Sequence, residues 1–146
     1  MKLILKSGRV INPATKFDEI ADVLIEDGKI KEIGTDLEAG DASVYDAAGK
    51  IVTPGLIDLH VHFREPGQEA KETFESGSKA AAAGGFTTVC TMPNTNPVVD
   101  SAAIVRSLEK RAEDTACVHV KIIGAVTKNQ EGKELAELGD MIQEGA

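Results

Sequence analysis

The residues of this chain best suited to chemistry lie together in Asp58-Leu59-His60-Val61-His62. Side chains alternate faces along a strand, so an extended backbone points Asp58, His60 and His62 to one side. Arg64 shares that direction if the extension continues. Two imidazoles two residues apart can reach one Zn²⁺ at the roughly 2.0–2.1 Å of a zinc–nitrogen bond. Asp58, lying deeper, is placed to orient such a site. An H-x-H triplet taken alone is more often a pair of ordinary buried histidines. Here, however, the chain has only three histidines, and two share one face of an otherwise apolar strand. Burying them there without a ligand would be costly. His119 has no partner pattern around it and reads as structural. A catalytic zinc takes about three protein ligands and an open position, and this sequence offers two good ones. Its other acidic residues fall on helices and hairpins, where solvation is the ordinary role of charge. The missing ligands are expected beyond Ala146.

The elements that must position these residues follow two rhythms. Residues 1–53 read as short strands and tight turns: Lys2–Lys6 closed by Ser7-Gly8, a hairpin at Asp27-Gly28, and a second hairpin at Ala47-Ala48-Gly49. From Pro54 the pattern changes. Leu56–Val61 is a nearly continuous apolar run, as in a strand buried on both faces. Lys71–Ala83 is a helix stopped by Gly84-Gly85, and Phe86–Met92 is a strand. Asp100 can cap a helix whose apolar stripe is Ile104, Val105, Leu108 and Ala112. Cys117–Val126 is a third strand, and Leu135, Leu138 and Ile142 mark a third helix. Strands recurring about every thirty residues set the pace of βα units in a parallel sheet. His60 and His62 then sit at the carboxyl end of the first parallel strand, where such sheets carry their chemistry. Three units make either an open α/β domain or part of an eight-stranded barrel, which takes about 250 residues. Periodicity alone does not choose between them.

Composition removes several function classes. The 146 residues are 42% hydrophobic and 27% charged, the profile of a soluble globular protein. The net charge of −8 argues against nucleic acid and anionic membranes as partners. Aromatics at 3%, with no Trp, leave little for base stacking. Cys90 and Cys117 each lie in an apolar run and read as reduced core residues of a cytoplasmic protein. No signal peptide or membrane-spanning run is legible.

Beyond these single motifs, Pro54-Gly55-Leu56-Ile57-Asp58-Leu59-His60-Val61-His62 resembles the first-strand signature of the amidohydrolase superfamily. With Phe63-Arg64-Glu65-Pro66-Gly67, Gly84-Gly85-Phe86-Thr87-Thr88 and Met92-Pro93-Asn94-Thr95 in this order and spacing, the chain resembles the bacterial type I dihydroorotase family over its whole length. The resemblance implies an α/β fold: a distorted (β/α)8 TIM barrel with a small β-sandwich subdomain. Residues 1–53 would be the N-terminal part of that subdomain. Residues 54–146 would be the first three βα units of the barrel, left incomplete in this chain. It implies His60 and His62 as ligands to one or two zinc ions. Arg64 and Asn94 would bind the substrate carboxylate, with His62 beside the substrate. The bridging ligand and the catalytic Asp would come from beyond Ala146, so no catalytic residue is expected within the chain, and the chain alone is expected to be inactive.

The implied reaction is the reversible, zinc-dependent cyclisation of N-carbamoyl-L-aspartate to dihydroorotate, with release of water, in pyrimidine (UMP) biosynthesis. A guanidinium fork suits the carboxylate that dihydroorotate carries outside the reacting bond. The implied assemblies are a homodimer or a complex with aspartate transcarbamoylase. The rival readings are an allantoinase, a hydantoinase, or a non-catalytic dihydroorotase-like subunit. A substrate without a carboxylate has no use for Arg64, and a non-catalytic relative tends to lose metal ligands that this chain keeps.

Overall fold

The computed structural model describes residues 1–146. They divide into two compact units, Met1–Pro54 and Gly55–Ala146.

The first unit is a sheet of β1 (Lys2–Asn12), β2 (Phe17–Glu26), β3 (Lys29–Gly34), β4 (Ser43–Asp46) and β5 (Ile51–Val52). Its order is β3-β2-β1-β4, with β5 also on β1. The β2–β3 hairpin turns on Asp27 and Gly28, with φ of 50° and 75°, the pair of positive angles that a tight two-residue hairpin needs. Ser7-Gly8 does not close β1. Ser7 takes φ 60°, the register with β2 shifts between Leu5 and Gly8, and the strand runs on as a bulge. Gly8 is required there, since a Cβ would lie 2.7 Å from Val52 Cγ2.

The hairpin expected at Ala47-Ala48-Gly49 does not form either. β4 and β5 both run parallel to β1. The link stays bonded to β1 on both sides of its bulge, Ala47 N donating to Lys6 O and Arg9 N to Lys50 O. It therefore steps along β1 without reversing the chain. The unit's core is Val10, Ala21 and Val23, beside a buried carboxylate, Asp22. Burial alone would push the Asp22 carboxyl up. The Lys6 ammonium at 2.5 Å and the backbone N–H groups of Ser7 and Leu37 more than offset this and hold it below the usual carboxylate range.

The second unit alternates strand and helix: β6 (Leu56–Val61), α1 (Phe74–Ala83), β7 (Phe86–Thr91), α2 (Ala102–Thr115), β8 (His119–Ile122), a 3-10 turn (Lys128–Gln130) and α3 (Leu138–Gln143). The strands form a parallel sheet in the order β6-β7-β8. Phe63, Phe74, Val89, Val105, Leu108, Val120 and Ile122 build its core. Helix α1 begins later than the sequence pattern implied because Thr73 and Ser76 form a reciprocal capping box. Asp100 does not cap α2. Ser101 holds that position, and the Asp100 carboxylate accepts from Asn129 N at 2.8 Å instead.

Two further expectations are corrected. Strand β6 is not buried on both faces: Leu56, Ile57 and Leu59 are exposed, because β6 is an edge strand with β7 as its sole neighbour. Cys117 is exposed in the link before β8 and is not a core residue. No helix is long and apolar enough to cross a membrane.

Candidate metal centre

Strand β6 delivers His60 to its carboxyl end, and His62 follows one residue beyond it. The pairing with β7 slips between Asp58 and Val61, an extra residue that bends the strand end and interrupts strict alternation. Met92 N then donates to Val61 O at 2.9 Å, fixing the segment after β7 beside the histidines. The two imidazoles meet edge to face, ring centroids 5.1 Å apart, with Nε2 to Nε2 at 3.3 Å. Asn94 Oδ1 lies 2.9 Å from His62 Nδ1. A carbonyl oxygen only accepts, so Nδ1 carries the proton and the lone pair of His62 is left on Nε2, facing His60. Asp58 Oδ1 accepts from His60 N at 3.0 Å, so this carboxylate steadies the backbone and not the ring.

His60, His62 and Asn94 are thus brought together, while Arg64 stands two residues along in the loop that follows. The arginines engaged in ion pairs in this unit are Arg106 with Glu144 and Arg111 with Glu65, and Arg64 joins neither. His119 is not part of the cluster. It lines a recess with Phe86, Glu109 and Lys121, at the amino ends of β7 and β8. Within the chain, no three metal-ligating side chains converge.

The histidine pair fits a zinc ion. Two bonds of roughly 2.0–2.1 Å at a tetrahedral angle place their nitrogens about 3.3–3.4 Å apart. The Nε2 separation has that value. The outer nitrogen of His62 is already engaged by an amide carbonyl, the kind of partner that fixes a metal-bound imidazole's tautomer.

Sequence reasoning gave Glu65 no role. It is 8% exposed and uses both carboxylate oxygens. Oε1 meets Arg111 Nε at 2.6 Å, and Oε2 accepts from Phe74 N, the first residue of α1, at 2.8 Å. An anion there satisfies an orphan helix donor and complements the helix dipole. The available signal was an acidic residue just ahead of a helix start, too common to single out. The adjoining residues clamp the same loop onto the one bearing Asn94. Asn96 N donates to Pro66 O at 3.1 Å, and Gly67, at φ 90°, lies so near Asn96 O that no side chain fits.

The chain resembles proteins of known structure. An L-hydantoinase (dihydropyrimidinase) from Arthrobacter aurescens superposes with a TM-score of 0.76 at 32% identity, over 86% of this chain and 28% of that one. A D-hydantoinase (dihydropyrimidinase) from Thermus sp. gives 0.74 at 34% identity, over 97% and 30%. The sequence places the chain more narrowly: residues 49–146 match the family described as dihydro-orotase-like, and the chain belongs to that family. A dihydroorotase from Solibacter usitatus is 52% identical over 146 residues, all of this chain and 34% of the relative. One from Syntrophotalea carbinolica is 52% identical over 145 residues, 99% of this chain and again 34% of the relative. The chain therefore spans about a third of the length of the curated relatives it matches.

Proposed function

We propose that this chain supplies the opening part of a zinc-dependent dihydroorotase that interconverts N-carbamoyl-L-aspartate and dihydroorotate. On this reading β6, β7 and β8 with their helices are the first three βα units of a (β/α)8 barrel spanning 54–146 and beyond. Residues 1–53 belong to a small β-sandwich subdomain. The whole protein is a cytoplasmic enzyme. The observation that carries the reading is the 3.3 Å approach of two Nε2 atoms at the carboxyl end of a parallel strand, with Asn94 holding the outer nitrogen of one. His60 and His62 would hold one or two zinc ions together with ligands from elsewhere in the protein. When bound, zinc acidifies a water to a pKa of about 7 and polarises a carbonyl, which hydrolysis of a cyclic amide requires.

This chain's own residues prepare that site. Asn94 keeps the proton of the neutral His62 ring on Nδ1, so Nε2 is the nitrogen that faces a ligand site. The Asn94 amide N–H₂ is left to donate to a carboxylate on the same ligand. Arg64, unpaired within the chain, supplies the guanidinium fork for that carboxylate. The proton shuttle to the leaving nitrogen is not among these residues.

The test uses the full-length protein, its zinc content by elemental analysis, and turnover on dihydroorotate, hydantoin and allantoin. His60→Ala and His62→Ala are expected to lose zinc and ring opening together. Retention of both in the double variant would refute the reading. Turnover of hydantoin with none of dihydroorotate would replace it with the hydantoinase reading, and absence of any turnover with the non-catalytic one. The homodimer and the transcarbamoylase complex implied by the sequence are separated by the molar mass of the protein with and without that enzyme.

A further inference from the structure

In the loop after β6, Arg64 joins none of the ion pairs of its unit, and it stands between two residues that are locked. On one side, Phe63 is 4% exposed, its ring 5.8 Å from that of Phe74 in an edge-to-face contact. The Phe63 ring fills the space over Gly77 so tightly that a Cβ there would lie 2.3 Å from it. On the other side is Glu65, pinned by Arg111 on α2 and by the first N–H of α1. Beyond Glu65, Pro66 and Gly67 are fastened to Asn96, two residues from Asn94.

A flexible guanidinium binds a carboxylate well only where its backbone is held, since every freedom lost on binding weakens the grip. Anchoring both sequence neighbours of Arg64, one of them to two helices at once, supplies that hold. A buried glutamate is costly unless both oxygens are satisfied, and these are. An apolar residue on the inward side of this loop would bury as well, but it could not grip α1 and α2 together.

We infer that Glu65, clamped between Arg111 and the amino end of α1, is a positioning residue that holds Arg64 toward the carboxylate of the substrate. The inference rests on the proposed function, in which Arg64 binds that carboxylate.

The experiment measures KM and kcat separately in the full-length protein for Glu65→Gln, Arg64→Gln and the double variant, with zinc content as control. Glu65→Gln keeps an acceptor for Phe74 N but loses the charge that holds Arg111. It is expected to raise KM roughly tenfold, the order of one lost charge-assisted hydrogen bond, with kcat and zinc within about twofold. In the Arg64→Gln background the same change should raise KM by less than about twofold, because the group it positions is gone. Arg111→Gln, at a half-exposed position on α2, breaks the clamp without altering the loop and should repeat the KM effect if Glu65→Gln fails to fold. A merely structural Glu65 would lower the melting temperature and leave KM unmoved, and that result overturns the inference. Equal KM effects of Glu65→Gln with and without Arg64 overturn it too. If Arg64→Gln itself leaves KM unchanged, the carboxylate reading of Arg64 falls and takes the inference with it, a distinguishable failure.

Discussion

Gly67→Ala tests the interlock of the two site loops, and the structure fixes how large the disturbance must be. A Cβ on Gly67 would lie 1.9 Å from Asn96 O and 2.8 Å from Asn96 C. Side-chain carbons do not approach other atoms closer than 3.0 Å, so the loops must part by about 1.1 Å. Both contacts are to backbone, which cannot swing aside as a flexible side chain would. Two costs add. Placing alanine at φ 90° costs about 1–2 kcal/mol, and forcing an extra carbon into a packed contact costs about 1–3 kcal/mol. Gly85→Ala separates them, because Gly85 also has a positive φ of 83° but nothing within 4 Å of its added Cβ. It should show the conformational cost alone. In the full-length protein Gly67→Ala should therefore unfold at lower urea than Gly85→Ala. A parting of about 1 Å between the loop of His62 and Arg64 and that of Asn94 should also reduce kcat/KM by up to about 100-fold. Gly85→Ala, at the start of β7, should leave kcat/KM near wild type. If the two variants unfold together and both keep wild-type kinetics, the loops are not interlocked in the way the contact implies.

Two further outcomes follow from the same geometry. Asn94→Ala removes the acceptor that fixes the His62 tautomer, and zinc affinity in the full-length protein should fall about 10–100-fold, read by chelator competition. Unchanged affinity would mean the hydrogen bond is incidental. Asp22 has a folded pKa below the roughly 3.9 of the unfolded carboxyl. Its contribution is therefore complete above the unfolded value and lost as pH falls through the folded one. Asp22→Asn should then unfold at lower urea at pH 7, with the gap to wild type closing in acid. A gap that stays constant with pH would show that Lys6 and the Ser7 and Leu37 N–H groups together only offset the cost of burying the charge.

What could be seen in the sequence, and what could not, divides along a physical line. The βα rhythm after Pro54 was legible because burial of apolar faces recurs along the chain: the stripe at Val105, Leu108 and Ala112 is the buried face of α2. The nearness of His60 and His62 was legible because they lie two residues apart, whereas the extra residue that bends the end of β6 was not. The details that failed are those decided by partners distant in sequence. Ser7-Gly8 looks like a turn, but Asp22, fifteen residues away, captures the Ser7 N–H and keeps β1 running. Ala47-Ala48-Gly49 looks like a hairpin, but β1 takes the hydrogen bonds on both sides of it. Asp100 looks like a helix cap, but Asn129 claims its carboxylate. Burial of β6 was misjudged because an apolar run reports what a strand can bury, while its exposure here reflects an edge position, paired with β7 alone. Glu65 belongs with these cases. Its partner Arg111 lies 46 residues on, across a helix and a strand. No local pattern connects them, so the clamp on Glu65 emerges only once Arg111 of α2 meets the loop after β6.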